Sequence, residues 1–179
     1  MFTQAPESEE TRFRLEVPLL LRLGDNVSTD EIMPAGAEGM SLWSSLPGMA
    51  EHTFRPLDHS YVQRARDTGD HAITGGRNYG QRSSREQAAL APRSFGLRLV
   101  IARSIARIHA KNLVNFGILP LTTRDQGDEG KLQPGKTIRL SGLHEALGDS
   151  PESWMCRSTA TGSAEPGPSH ADPFHDHLT

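Results

Sequence analysis

A short apolar strand running straight into glycine constrains this chain more than any other feature. His71-Ala72-Ile73-Thr74 reads as a strand, and Gly75-Gly76-Arg77-Asn78-Tyr79-Gly80-Gln81-Arg82-Ser83-Ser84-Arg85-Glu86 follows it directly. Glycine at this density marks a turn, and the alanine-rich stretch from Gln87 to Ala91 favours helix. Ser83 and Glu86 have the spacing of a capping box, which predicts Ser83 as the N-cap of that helix. The first turn of such a helix carries free N–H groups and the positive end of a dipole, a place for an anion or a developing alkoxide. Arg85 adds a planar fork suited to a carboxylate. The loop therefore reads as a carboxylate-binding helix start with a serine hydroxyl directed at the ligand. It is not a nucleotide P-loop, because the Gly-Lys-Ser/Thr ending is absent.

Ser-x-x-Glu also opens many helices that have no chemistry, so the flanking segments carry the weight. Upstream, Val17 to Leu23 is an apolar run of strand length whose Pro18 points to an edge strand or to a first-residue position. Asp25-Asn26-Val27-Ser28-Thr29-Asp30 then supplies turn and cap formers, and Asp30 is expected at the end of a strand, facing a ligand cleft. Leu42 to Asp70 lacks a clear period and reads as a loop-rich insertion with a short helix near Tyr61 to Arg66. Downstream, Pro92 is expected to end the first helix, and Leu97 to Ala102 forms a buried strand. Ser104 is expected to cap a second helix that buries Ile105, Ile108 and Phe116 and stops at Asn115 and Gly117. Strands at Ile118 to Leu121 and Lys136 to Leu140 follow, the second after a turn-rich loop from Gly127 to Gly135. Strands alternating with short helices define an α/β domain.

A chain of 179 residues, 35% apolar, buries one core. Residues 1–14 read as a flexible lead-in, 15–147 as the domain, and 148–179 as a disordered tail rich in Pro, Ser, Gly and Asp. His170, His175 and His177 with Asp172 and Asp176 could bind a metal ion, although surface disorder explains them as well. The net charge of −3 gives no argument for nucleic acid or membrane. Yet Arg77 to Lys111 holds seven arginines and one lysine against a single acid, Glu86, a balance that fits a small anionic ligand. Cys156 is the only cysteine, so the chain builds neither a disulfide framework nor a thiolate metal or cluster site. No run is long and apolar enough to span a membrane, and the N-terminus lacks a signal-peptide pattern, which leaves a cytoplasmic protein as the expectation.

Three ordered blocks resemble the aconitase superfamily. They are Asp25 to Asp30, Gly75 to Arg85, and Ser104-Ile105-Ala106-Arg107-Ile108-His109 with Asn112 and Gly117 to Leu121. The match is to the C-terminal swivel domain, which in isopropylmalate isomerase is a separate small subunit. Met33-Pro34-Ala35-Gly36 and Ala88 to Arg93 resemble aconitase proper more closely. The resemblance implies a swivelling β/β/α domain, with short helices flanking a mixed sheet. It also implies a larger partner chain or domain whose three cysteines hold a [4Fe–4S] cluster. The implied activity is that of a hydro-lyase interconverting citrate and isocitrate through cis-aconitate. By motif position Ser83 would be the base, Ser84 and Arg85 would bind substrate carboxylate, and Asp30 would belong to the acid–base network. A 3-isopropylmalate dehydratase small subunit and an inactive swivel-domain remnant fit the same blocks. Three positions depart from the family pattern. Arg82 stands where the family has glycine, Gln87 where it has histidine, and no arginine occurs between Arg22 and Arg55, with Trp43 near the expected place. An arginine at position 82 is expected to crowd the cleft or to take a conformation that favours glycine.

Overall fold

The computed structural model describes residues 15–34, 46–123, 132–140 and a two-residue strand at 165–166. The lead-in, Trp43, Cys156 and the histidines of the tail lie outside the described residues. Strands β1 (Leu15–Arg22), β2 (His71–Gly75), β3 (Leu97–Ala102), β4 (Leu119–Thr122), β5 (Lys136–Leu140) and β6 (Glu165–Pro166) form a sheet in the order β4-β3-β2-β1-β5-β6. β1 to β4 pair in parallel, whereas β5 and β6 are antiparallel. The helices are short: α1 (Thr29–Ile32), α2 (Leu46–Ala50), α3 (Tyr61–Thr68), α4 (Gln87–Ser94) and α5 (Arg107–Asn115). This is the expected α/β class, a mixed sheet flanked by short helices.

Burial on both faces explains why the strands are nearly continuous apolar runs. In β3, Leu97, Val100 and Ala102 join one core cluster while Leu99 and Ile101 join the other. The first cluster takes its helical partners from every helix, among them Ile32, Met49, Tyr61, Ala88 and Leu113. The second is built from strand residues, including Val17, Leu19, Ile138 and Leu140, with Leu132 packed beside them. Parallel pairing of β1, β2 and β3 brings their carboxyl ends, Arg22, Gly75 and Ala102, to one edge of the sheet. Ligands in open α/β sheets bind outside that edge.

Several local expectations need correction. β1 is an interior strand between β2 and β5. Pro18 is accommodated there because the ladder to β2 begins at Leu19, so the proline pairs only with Thr137 of β5. Pro92 lies inside α4, which continues to Ser94. In the last turn of a helix the missing N–H forfeits a single bond. Ile108 is 55% exposed rather than buried. α5 starts behind Ala106 without a side-chain cap, and Ser104 Oγ instead accepts a hydrogen bond from the Asn78 N–H at 2.7 Å. The segment before β2 carries two helices, α2 and α3, where one was expected.

The two Ser-x-x-Glu sequences behave differently. At Ser28 the capping box forms: Ser28 Oγ accepts from the Glu31 N–H at 3.3 Å, and Glu31 Oε2 accepts from the Ser28 N–H at 2.7 Å. This places Asp30 in the first turn of α1, beyond the strand end where it was expected. At Ser83 no box forms, and α4 begins behind Glu86 without a side-chain cap. Thr29 Oγ1 donates to the Ser83 carbonyl at 3.0 Å and holds the serine out of helical register. Ser28→Ala is therefore expected to cost about 1 kcal/mol of stability, and Ser83→Ala less than about 0.5 kcal/mol, in urea unfolding with unchanged slope.

Candidate active site

The site is assembled by a clamp between two loops at the carboxyl edge. Residues 23–28 follow β1 and residues 76–86 follow β2, and backbone hydrogen bonds join the two loops beyond the sheet. Gly76 N–H donates to the Gly24 carbonyl at 2.9 Å, Gly80 N–H to Val27 at 2.8 Å, and Thr29 N–H to Gln81 at 3.0 Å. Side chains reinforce this pairing: Asp25 Oδ1 accepts from the Arg77 N–H at 2.7 Å, and Gln81 Nε2 donates to the Asn26 carbonyl at 2.6 Å. The loop after β3 joins the same array, since Tyr79 N–H donates to the Ser104 carbonyl at 2.9 Å and Ala106 N–H to the Tyr79 carbonyl at 2.8 Å. Glycine is required where the chains approach most closely. A Cβ on Gly76 would lie 2.0 Å from Asp25 Oδ1, and one on Gly80, at φ +76°, would lie 2.2 Å from His109 Cδ2.

This framework walls a cleft of about 480 Å³. Arg82, Ser83, Ser84 and Arg85 line one part of it, and Ala106 to His109 with Lys111 line the other. The residues singled out from the sequence are thus brought together, with Asp30 attached through Arg85. Asp30 Oδ1 and Arg85 Nη1 are 2.7 Å apart, half-exposed, in an ion pair whose angles do not make a hydrogen bond. The serine hydroxyls are exposed at the mouth of the cleft. Arg82 adopts φ +75°, the left-handed conformation expected from its place in a glycine-rich turn. For a residue with a Cβ this costs about 1 kcal/mol. Its guanidinium also lies near Glu31, whose carboxyl is held below the usual range first by hydrogen bonds from Ser28, with Arg82 a lesser contributor.

Electrostatically the cleft is one-sided. Arg82, Arg85, Arg107 and Lys111 line it and no carboxylate does. The helices α4 and α5 both begin at this cleft, and neither has a side-chain cap. Sequence reasoning missed His109 as a site residue, although it lay within a quoted block. It is 2% exposed, stacks against Tyr79 at 5.4 Å between ring centroids, and lines the cleft. Both of its ring nitrogens are buried without a hydrogen-bond partner, as are Tyr79 Oη and Asn112 Nδ2. The helical spacing that makes His109 inward-facing in α5 is the signal that could have found it. A smaller hollow of about 310 Å³ near Arg22, Thr74 and Thr123 contains none of the expected residues. Among the described residues no cluster of His, Cys, Asp and Glu could hold a metal ion, and no helix is long and apolar enough to cross a membrane.

The fold is a mixed-sheet α/β domain with a basic, serine-bearing cleft at the carboxyl ends of its parallel strands. Its family follows from sequence and fold together. Residues 48–126 match the Aconitase C-terminal domain family. The chain is 38% identical over 122 residues to the 3-isopropylmalate dehydratase small subunit of Halothermothrix orenii, covering 68% of this chain and 69% of that one. Over 68 residues it is 50% identical to the mitochondrial aconitate hydratase of Aspergillus fumigatus, 38% of this chain but 9% of that enzyme. A crystal structure of 3-isopropylmalate dehydratase from Methanocaldococcus jannaschii superposes with a TM-score of 0.62 at 26% identity, covering 75% of this chain and 74% of that one. The chain belongs to the aconitase superfamily, in the C-terminal-domain family shared by these hydro-lyases, as the three sequence blocks led us to expect. It is a hydro-lyase component.

Burial without a partner disfavours the charged imidazole, so the His109 pKa falls from 6.5 to about 4. Between these values the unfolded chain binds more protons than the native one, so acidification favours unfolding. The contribution is fully present above pH 6.5 and is lost as the pH falls to about 4, a difference of about 3 kcal/mol. The expected NMR titration leaves the His109 imidazole neutral at pH 5.5; a midpoint near 6.5 would show that the ring is solvated.

Proposed function

We propose that this chain is the swivelling small component of an aconitase-like hydro-lyase, interconverting citrate and isocitrate through cis-aconitate. In this reading it closes over a partner chain or domain that carries a [4Fe–4S] cluster. Bound there, the cluster supplies an electrophilic iron for substrate oxygen atoms. The residues of this chain do the rest. Ser83 removes the proton alpha to a carboxylate, a task that requires its alkoxide to be stabilised. The exposed hydroxyl stands ahead of the uncapped start of α4, beside Arg82 and Arg85, where positive potential favours that charge. Ser84 and Arg85 hold a substrate carboxylate, and the ion pair with Asp30 orients the guanidinium. The observation that carries this reading is the cleft itself: serines and cations converge on it and no carboxylate is among its lining residues, although Asp30 pairs with Arg85 and Glu31 lies near Arg82.

A second reading, the 3-isopropylmalate dehydratase small subunit, has support of its own. The relatives matched over most of their length bear that name, and Ala106 and the exposed Ile108 give the cleft an apolar wall for a branched side chain. Charge favours the tricarboxylate, because each added carboxylate gains from the same set of cations. The deciding experiment is reconstitution with a cluster-bearing partner, followed by kcat/KM for citrate, isocitrate and 3-isopropylmalate. Turnover of isopropylmalate alone would replace the first reading by the second. No turnover of any of them would leave an inactive remnant.

Two variants test the residues. Ser83→Ala is expected to lower kcat by a factor on the order of 10² or more with little change in KM, as for loss of a general base. A full-rate variant would remove the serine from the mechanism. Arg82→Gly relieves the positive φ and removes a long side chain from the cleft. Turnover is expected to rise, whereas a slower enzyme would identify Arg82 as a substrate contact.

A further inference from the structure

Arg82 holds a backbone conformation that glycine adopts cheaply and arginine does not, so its surroundings must keep it there. The neighbouring carbonyls show what does. Thr29 N–H donates to the Gln81 carbonyl at 3.0 Å, and Thr29 Oγ1 donates to the Ser83 carbonyl, also at 3.0 Å. One residue thus grips the chain on both sides of Arg82. Thr29 is only 1% exposed, and a hydroxyl left unpaired at that depth is costly, so its Oγ1 is committed to this bond. The other links between α1 and the loop are weaker. The Asp30–Arg85 ion pair and the attraction of Glu31 to Arg82 join partly exposed groups, which water and salt screen.

This grip decides what the Ser83 hydroxyl can do. With Glu86 three residues on, Ser83 has the sequence of a capping box, in which its carbonyl would turn into α4 and its Oγ would accept from the Glu86 N–H. A hydroxyl engaged in that way serves the helix and is no longer free to act on a ligand. In the structure the carbonyl is bound by Thr29 instead, the box is absent, and Ser83 stays exposed on the cleft.

We propose that Thr29 is a positioning residue for Ser83: by bonding the carbonyls on both sides of Arg82 it holds the left-handed turn and keeps the Ser83 hydroxyl out of a latent capping box. Thr29 touches no ligand and acts only through the loop. The inference rests on the reading of Ser83 as the base, and it adds the residue that fixes where the base points.

Variants of the full chain separate the hydroxyl from the bulk of the side chain. Thr29→Val removes the hydroxyl, Thr29→Ser keeps it, and Thr29→Ala removes it without filling the site, should the valine variant not fold. The first readout needs neither partner nor turnover. By NMR, the wild type and Thr29→Ser are expected to show the strong contact between the amide and α protons of Arg82 that marks positive φ, with a freely exchanging Glu86 amide. Thr29→Val is expected to lose that contact and to slow Glu86 amide exchange by roughly tenfold or more as the capping box forms. Unchanged Arg82 and Glu86 signals in the hydroxyl-free variants would overturn the proposal.

The second readout is turnover in the reconstituted enzyme. Thr29→Val is expected to lower kcat by roughly tenfold or more with KM within about twofold, and Thr29→Ser to keep most of the wild-type rate. Equal losses in the valine and serine variants would show a merely structural role. A full-rate Thr29→Val whose loop has changed would show that Thr29 does not set the base. Either result overturns the proposal and leaves the hydro-lyase reading standing. If the NMR changes appear but the wild-type complex turns over no hydroxy acid, Thr29 still positions the serine loop and the hydro-lyase reading falls.

Discussion

The site depends on one backbone interaction: the parallel pairing that continues past the ends of β1 and β2. Sheets normally stop where loops begin, because loop backbone finds its partners in water. Here the Gln81 N–H donates to the Val27 carbonyl while the Gln81 carbonyl accepts from the Thr29 N–H, and Ser28 and Gln81 form an isolated bridge beyond the sheet edge. Each bond contributes about 1 kcal/mol in net terms. Their larger consequence is geometric: loops that would otherwise move on the nanosecond scale become an extension of the core. Ser83 inherits its position from this clamp through the bond from Thr29 Oγ1 to its carbonyl.

The starts of α4 and α5 have no side-chain cap, whereas that of α1 does. At α1 the capping box closes on itself, and Glu31 neutralises the exposed N–H groups. At α4 and α5 no side chain does so. Water can serve those groups in the open cleft, and an anion can serve them better. The arginines around them would repel one another in the empty cleft, which is tolerable because all are partly exposed and screened by salt.

The contrast between the core and the site is visible in the buried polar groups. In the core, Tyr61 donates its hydroxyl proton to His71 Nε2 at 2.9 Å, while His71 Nδ1 donates to the Gly69 carbonyl at 2.7 Å, so both nitrogens are satisfied. At the site, Tyr79 and His109 stack in a similar way but make no hydrogen bond. Arg82 adds strain in the same neighbourhood, as a non-glycine residue at positive φ. Unsatisfied groups and backbone strain are found near the cleft, as at binding surfaces generally, but also elsewhere: Phe54 is at φ +54° and Thr74 Oγ1 in β2 is buried without a partner.

The sequence by itself determined what local chemistry can specify. The strands at His71, Leu97 and Lys136 were readable because apolar runs and turn formers bound them, and the family was readable from three ordered blocks of residue types. Arg82 was legible as a misfit, because glycine-rich turns demand a conformation that a Cβ resists. Tertiary structure decided which of two identical capping signals forms. Ser28 keeps its box, while Ser83 gives up the same box because Thr29, 54 residues earlier, holds its carbonyl. It also decided that Pro18 sits inside the sheet, since β5 comes from the far end of the domain to pair with it. The exposure of Ile108 and the burial of His109 were settled by how α5 rotates against the sheet. Periodicity predicts that a helix has an inner face, but packing between elements distant in sequence chooses which residues occupy it.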